Sequence, residues 1–340
     1  MSASLDSPSN APLAAALAAL RDEALPSEQL MLCFSDLEGE RLEQWGATWE
    51  SLPDERRAAL IEQMVDIAED NLQANFDAIF RYALRDPLER VRLSAIEGLS
   101  HESHLSALDI LLDLLQHDPS LTVRAAAAES LGRFVLAAEM QQLAAEKGEL
   151  VCRALLRVLR QAPTNSLLYR RALESLAHFS HPEVDYHIRA AYYANDDLLL
   201  VSALTAMGRS CNAEYRSLVR AELHNVSPMV RRSAAIAAGE LEDEAALPDL
   251  LKLLEDPSIE VQQASITALV SINQPEAREA IARAARSDDP AISQHAESAL
   301  QAWDFWHREA EFPLLDVMDE TQQSFRVRRI PLRPESPADR

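Results

Sequence analysis

Glycine is nearly missing from this sequence, with 7 in 340 residues, and the loops that depend on it are missing too. Phosphate-cradling turns of the P-loop and dinucleotide type need closely spaced glycines. No Gly-x-Ser-x-Gly elbow occurs either, so nucleotide binding and serine-hydrolase chemistry are set aside. Aromatic residues make up only 5% of the chain, whereas sheets favour aromatic and β-branched side chains. With its many alanines and leucines, the composition predicts helix almost throughout. Lysine occurs only at Lys147 and Lys252, and the arginines do not offset the carboxylates, leaving a formal charge of −23. Such a surface excludes nucleic acid as the main partner, because holding a phosphate backbone depends on clustered cations. Cys33, Cys152 and Cys211 are too scattered for a disulfide framework or a metal site, and read as small buried residues in a reducing compartment. Residues 13–20 are apolar but too short to cross a bilayer, and the opening residues carry Asp6 and no basic stretch. No membrane association, no signal peptide and a cytoplasmic location are expected.

What is present is a phrase written four times: Asp86-Pro-Leu-Glu-Arg-Val-Arg92, Asp118-Pro-Ser-Leu-Thr-Val-Arg124, Asn225-Val-Ser-Pro-Met-Val-Arg231 and Asp256-Pro-Ser-Ile-Glu-Val-Gln262. Each precedes an Ala-, Leu- and Ile-rich stretch with apolar residues at helical spacing, such as Val91, Ala95 and Leu99, or Val123, Ala127 and Leu131. Anchoring on the Val gives Val91, Val123, Tyr169, Val201, Val230, Val261 and Ser293, with spacings of 32, 46, 32, 29, 31 and 32 residues. The long interval places extra helix or an extra turn around residues 134–148. A second helix follows each first one after a short polar break. The Asp is expected to cap the next helix and the Pro to take its first position, where a missing N–H costs nothing. Arg92, Arg124 and Arg231 are expected to pair with an acidic residue of the adjoining unit. Because each unit can bury its apolar face only on its neighbours, the fold class is all-α, a solenoid of about seven to eight helical hairpins.

These motifs resemble HEAT repeats, in particular the short bacterial kind grouped with phycobilin-lyase-like HEAT proteins, over about residues 86–303. The resemblance implies a right-handed superhelix with second helices lining its concave side. It says little about function, since function resides in sites and not in folds. The organisation expected is a weakly ordered segment at 1–24, a helical cap and degenerate first repeat at 25–85, the repeats at 86–306, and a flexible basic tail at 307–340. Trp45 and Trp49 share one helix face and would cover one end of the stack, while Trp303, Phe305 and Trp306 would cover the other. The tail changes sign: residues 312–318 are apolar and acidic, whereas Arg326, Arg328, Arg329, Arg333 and Arg340 stand against Glu335 and Asp339. The arginines could fold back on the acidic body, although a solvated terminus is the simpler expectation.

Catalytic signals are weak. HEAT-like repeats also build deoxyhypusine hydroxylase, whose iron ligands come from repeated His-Glu pairs, but here His101-Glu102 stands alone. His181-Pro-Glu183 and His295-Ala-Glu297 break the pattern. His101, Glu102 and His104 lack the HExxH spacing, and they read with His178, His181 and His187 as polar turn residues. No catalytic residue, cofactor or metal is therefore expected, nor a small-molecule substrate, with a lyase- or hydroxylase-type enzyme as the alternative. The strongest local feature is five of the six tyrosines within two adjoining repeats: Tyr169, Tyr186, Tyr192, Tyr193 and Tyr215. On a helix over residues 183–194, Val184, Ile188 and Ala191 would face inward, turning Tyr186, His187, Arg189 and Tyr193 toward a partner. Tyr and Arg predominate at interface hot spots. The bland alternative is that the rings fill gaps left by the long interval. The expected function is a non-catalytic scaffold that binds a protein or peptide, its negative charge favouring a basic one.

Overall fold

The computed structural model describes residues 11–99 and 105–307, and its regular elements are helices. An amino-terminal group comprises α1 (Ala11–Ala19), α2 (Glu28–Met31) and α3 (Gly39–Glu50). First helices of the stack are α4 (Asp54–Asp70), α6 (Glu89–Gly98), α8 (Leu121–Glu139), α10 (Leu167–Leu176), α12 (Asp197–Arg209), α14 (Pro228–Glu240), α16 (Ile259–Ile272) and α18 (Pro290–His307). Second helices are α5 (Asp77–Ala83), α7 (Leu108–His117), α9 (Ala145–Gln161), α11 (Pro182–Tyr192), α13 (Arg216–Glu222), α15 (Leu247–Leu253) and α17 (Pro275–Ala284). Each first helix packs on the next, and second helices form a layer alongside, so the chain is a solenoid of hairpins among the described residues.

The register follows from one repeated position. The third residue of each first helix from α6 onward is buried: Val91, Val123, Tyr169, Leu199, Val230, Val261 and Ile292 are all at 5% exposure or less. Two sequence anchors are thereby corrected, from Val201 to Leu199 and from Ser293 to Ile292. After Tyr169 the spacings become 30, 31, 31 and 31 residues. The long interval is accounted for by helix length, since α8 runs for 19 residues and α9 for 17.

Punctuation by Asp-Pro works differently from the sequence expectation. Asp86, Asp118 and Asp256 accept hydrogen bonds from the N–H groups of Leu88, Ser120 and Ser258, two residues on, at 2.8–2.9 Å. Those three receiving residues are themselves the N-caps. Pro87, Pro119 and Pro257 consequently sit one residue ahead of the cap, inside an Asx-type turn, and Pro228 is the one in these phrases that starts a helix. Arginine pairing is as expected at two of three places. Arg92 holds Asp118 and Arg231 holds Asp256, each through two bonds of 2.7–2.9 Å. Arg124 donates instead to the Leu115 carbonyl at 2.9 Å, because the turn that follows its hairpin, Ala162-Pro163-Thr164-Asn165, offers no carboxylate. Arg57 on α4 extends the series to Asp86 at 2.8 Å.

First helices approach one another closely where glycine and alanine meet. A Cβ on Gly239 would lie 2.7 Å from Ala268 Cα, and one on Gly208 would lie 2.9 Å from Ala237 Cα. Only a missing side chain allows backbones that close.

The ends of the stack need correction. Within the segment expected to be weakly ordered, residues 11–24 carry α1, with Leu13, Ala16 and Leu20 buried. Arg56 binds the carbonyls of Ala19, Leu20 and Ala24 at 2.9–3.2 Å, satisfying the open end of that helix. Trp45 and Trp49 on α3 stack on each other, with centroids 4.8 Å apart and both rings buried. At the other end Trp303 is buried but Phe305 is 72% exposed. Cys211 is likewise exposed, not buried, at a left-handed turn with φ 52°. Burial does hold for Cys152, whose thiol is pushed up to about 11.

Candidate partner-binding surface

Helix α11 begins with Pro182, and its N-cap His181 accepts the Glu183 N–H at 3.2 Å while its ring stacks on Phe179 with centroids 5.3 Å apart. Val184, Ile188 and Ala191 are buried at 2–3% exposure, so the inward face is the one read from the sequence. The four residues singled out on the rest of the helix fall into two pairs.

Tyr186 and Tyr193 project into solvent at 67% and 69% exposure. Seven residues apart, they lie two turns from each other on one face. The Tyr186 ring stands edge-on to His187 at 5.4 Å, and that of Tyr193 edge-on to Tyr192 at 4.9 Å. His187 and Arg189 turn toward neighbouring helices instead. His187 Nδ1 is 3.0 Å from the hydroxyl of buried Tyr169, and burial lowers the imidazole pKa. Arg189 donates to Asp185 at 3.1 Å, reaches Glu214 at 3.4 Å and lies over the Tyr215 ring at 5.2 Å. The Tyr215 hydroxyl donates to the same Asp185 carboxylate, and that bond, followed by Arg189, holds Asp185 below its ordinary pKa. Burial and then Asp185 push the Tyr215 hydroxyl upward. Tyr169 and Tyr215, at 1% and 2% exposure, fill space between helices, which is the bland reading for those two.

Residues that the sequence did not single out fix the helix from its other sides. Arg160 on α9 grips both carboxylate oxygens of Glu183 at 2.5 Å, and the Tyr192 hydroxyl donates to Glu222 at 2.8 Å. Beside α11 a cleft of about 300 Å³ opens between two turns, lined by Phe179, His181, Asp185, Glu214 and Tyr215. Its signal in the sequence is faint, since Asp185 and Glu214 lie on different hairpins.

The three histidines of this region do separate jobs: His178 is half-buried near Arg209, His181 caps and His187 meets Tyr169. His295 bonds Thr267 at 3.0 Å. No group of three or more His, Cys, Asp or Glu placed to hold a metal occurs among the described residues. His101, Glu102 and His104, like the tail residues Arg326, Arg328, Arg329, Arg333 and Arg340, lie outside those residues. No helix of the described residues is long and apolar enough to cross a membrane.

A family model described as HEAT repeats matches residues 50–134 and 217–301, half of the chain. No curated protein matches the sequence. Among solved structures, human deoxyhypusine hydroxylase in complex with glycerol is similar at 17% identity and TM-score 0.35, over 87% of this chain and 97% of that one. Importin beta is similar at 13% identity and TM-score 0.43, over 85% of this chain and 46% of that one. Kap95p, solved with RanGDP, is similar at 12% identity and TM-score 0.38, over 88% and 52% of the two chains. This chain thus spans about half the length of the importin beta and Kap95p chains.

Proposed function

The chain belongs to the HEAT-repeat family, and on that premise we propose that it is a non-catalytic scaffold that binds a protein or peptide through the surface of α11. The observation that supports this is the pair Tyr186 and Tyr193, exposed on a helix whose position Arg160–Glu183, Tyr215–Asp185 and His187–Tyr169 fix in advance. Large rings presented by an immobile helix give contact area at little cost in order, which is what hot-spot residues supply. His187 and Arg189 act in this reading as supports for the tyrosines. A net charge of −23 favours a basic partner in the cytoplasm, whose encounter is accelerated by attraction and weakened by salt.

The test is to recover the partner from the native host with the intact chain, identify it, and titrate the purified pair at low and physiological ionic strength. The reading expects a basic protein or peptide whose Kd rises at least several-fold with salt. An affinity indifferent to salt would remove the electrostatic part.

A further inference from the structure

The cleft beside α11 lies between the turn that joins α10 to α11 and the turn that joins α12 to α13, and its volume of about 300 Å³ is roughly ten times the ~30 Å³ share of one water. It has room for one long side chain. Phe179 and His181 form a flat wall, their rings stacked at 5.3 Å with planes 9° apart, and Val184, Ile188 and Tyr215 lie at its base, each at 2% exposure. Asp185 and Glu214 bring carboxylates to it from two different hairpins.

Charge in the cleft does not balance. Arg189 serves both carboxylates, at 3.1 Å to Asp185 and 3.4 Å to Glu214, and does not itself line the cleft. Two negative groups thus share one cation. The other arginines close by are committed elsewhere, Arg160 to Glu183 and Arg216 to the Leu241 carbonyl at 2.7 Å, and the Tyr215 hydroxyl already donates to Asp185. The amino-terminal end of α11 also borders the cleft, but His181 Nδ1 accepts the Glu183 N–H there, and Glu183 itself offsets the helix dipole. One negative charge is left over, and Glu214, with its side chain 75% exposed, carries it at the mouth.

We propose that this cleft receives an arginine side chain of the basic partner, an inference that rests on α11 being the binding surface and adds the residue by which the partner is selected. A guanidinium stacks flat on aromatic faces and donates N–H groups in its own plane, so one arginine meets the Phe179–His181 wall and the Glu214 carboxylate together. A lysine would satisfy the charge but not the wall. The same carboxylates already take part in this chemistry outside the cleft, where Arg189 lies over the Tyr215 ring at 5.2 Å while pairing with Asp185. Asp185 adjoins Tyr186 in sequence, so one partner reaches both sites. Tyr186 and Tyr193 supply contact area, and the cleft supplies selection for charge and shape.

The test is methyl NMR on the full-length chain, with the Ile188 signal assigned by Ile188→Val and the tripeptide acetyl-Gly-Arg-Gly-amide as probe. The arginine tripeptide should move the Ile188 methyl saturably, whereas the citrulline tripeptide, alike in shape but uncharged, should bind at least about threefold more weakly. Glu214→Lys should abolish the shift and lower affinity for the identified partner by at least about tenfold. If Glu214→Lys disturbs the fold by circular dichroism, Glu214→Gln keeps the shape of the side chain and should weaken the tripeptide by at least about threefold. Arginine and citrulline tripeptides that act alike, or an Ile188 signal that neither moves, overturn the proposal. The Tyr186→Ala, Tyr193→Ala variant separates it from the reading of the α11 surface, because tripeptide binding should be unchanged there. Full partner affinity in a folded Glu214→Lys chain overturns the cleft and leaves the tyrosines standing. Full partner affinity in the tyrosine variant, with tripeptide binding and the Glu214→Lys loss intact, upholds the cleft and counts against the tyrosines alone.

Discussion

Arg92 and Asp118, 26 residues apart in sequence, meet as a two-pronged pair, with Nε 2.7 Å from Oδ2 and Nη2 2.9 Å from Oδ1. Both side chains are nearly sealed from water, at 8% and 3% exposure, and Arg92 also binds the carbonyls of Asp86 and Pro87. One guanidinium thus joins the turn that opens its own hairpin to the turn that opens the next. Removing one member of such a buried pair strands the other charge, at a cost of roughly 3–5 kcal/mol. Arg92→Ala is expected to lower the urea midpoint by a corresponding amount, and an unchanged midpoint would show that the pair is not an inter-repeat tie.

Close helix contact predicts a sign that helix propensity alone would get wrong. Alanine in a helix is favoured over glycine by about 1 kcal/mol, yet a Cβ on Gly239 would sit 2.7 Å from Ala268 Cα. Overpacking of this kind costs roughly 1–3 kcal/mol. Gly239→Ala should therefore destabilise, and a rise in melting temperature would contradict the described packing.

Core deletions should be felt in the same assay. Leu131 and Leu269 have no exposed surface, and Leu131→Ala or Leu269→Ala is expected to cost roughly 2–5 kcal/mol.

Much of this was legible before any coordinates. The Asp-Pro phrases marked the repeats because a turn with a carboxylate, a proline and an arginine performs the same mechanical task each time. Where the phrase decays, around Val201 and Ser293, reading by sequence slipped by two residues and one, and burial of Leu199 and Ile292 restored the register. The inward face of α11 was visible in the spacing of Val184, Ile188 and Ala191. The engagement of Arg189 was not, because Glu214 and Tyr215 lie 25 and 26 residues away and no local pattern ties them to it. Arg56 holding α1 was hidden for the same reason.

Acid should weaken the fold in two stages. Burial, the largest influence on both, lowers the pKa of His178 and His187 below 6.5. A histidine that resists protonation when folded contributes fully above its unfolded pKa, and that contribution is lost as pH falls through 6.5 toward the folded value. Glu183, Asp185 and Asp249 are held low by hydrogen bonds from Arg160, Tyr215 and Lys252. Burial alone would raise Asp256, but bonds from Arg231 and the Ser258 N–H outweigh it. Their contribution is complete above about pH 4 and is lost below it. Urea midpoints at pH 7.5, 5.5 and 3.5 should fall in that order, and His178→Gln with His187→Gln should flatten the first step while leaving the second.

The most direct measurement for the central claim is binding of the identified partner by the Tyr186→Ala, Tyr193→Ala double variant. Both rings are mostly exposed, so the variant should keep its stability to within about 0.5 kcal/mol. Its affinity should fall by at least tenfold against the unaltered chain. An affinity equal to that of the unaltered chain, at equal stability, would contradict α11 as the surface this stack of hairpins presents.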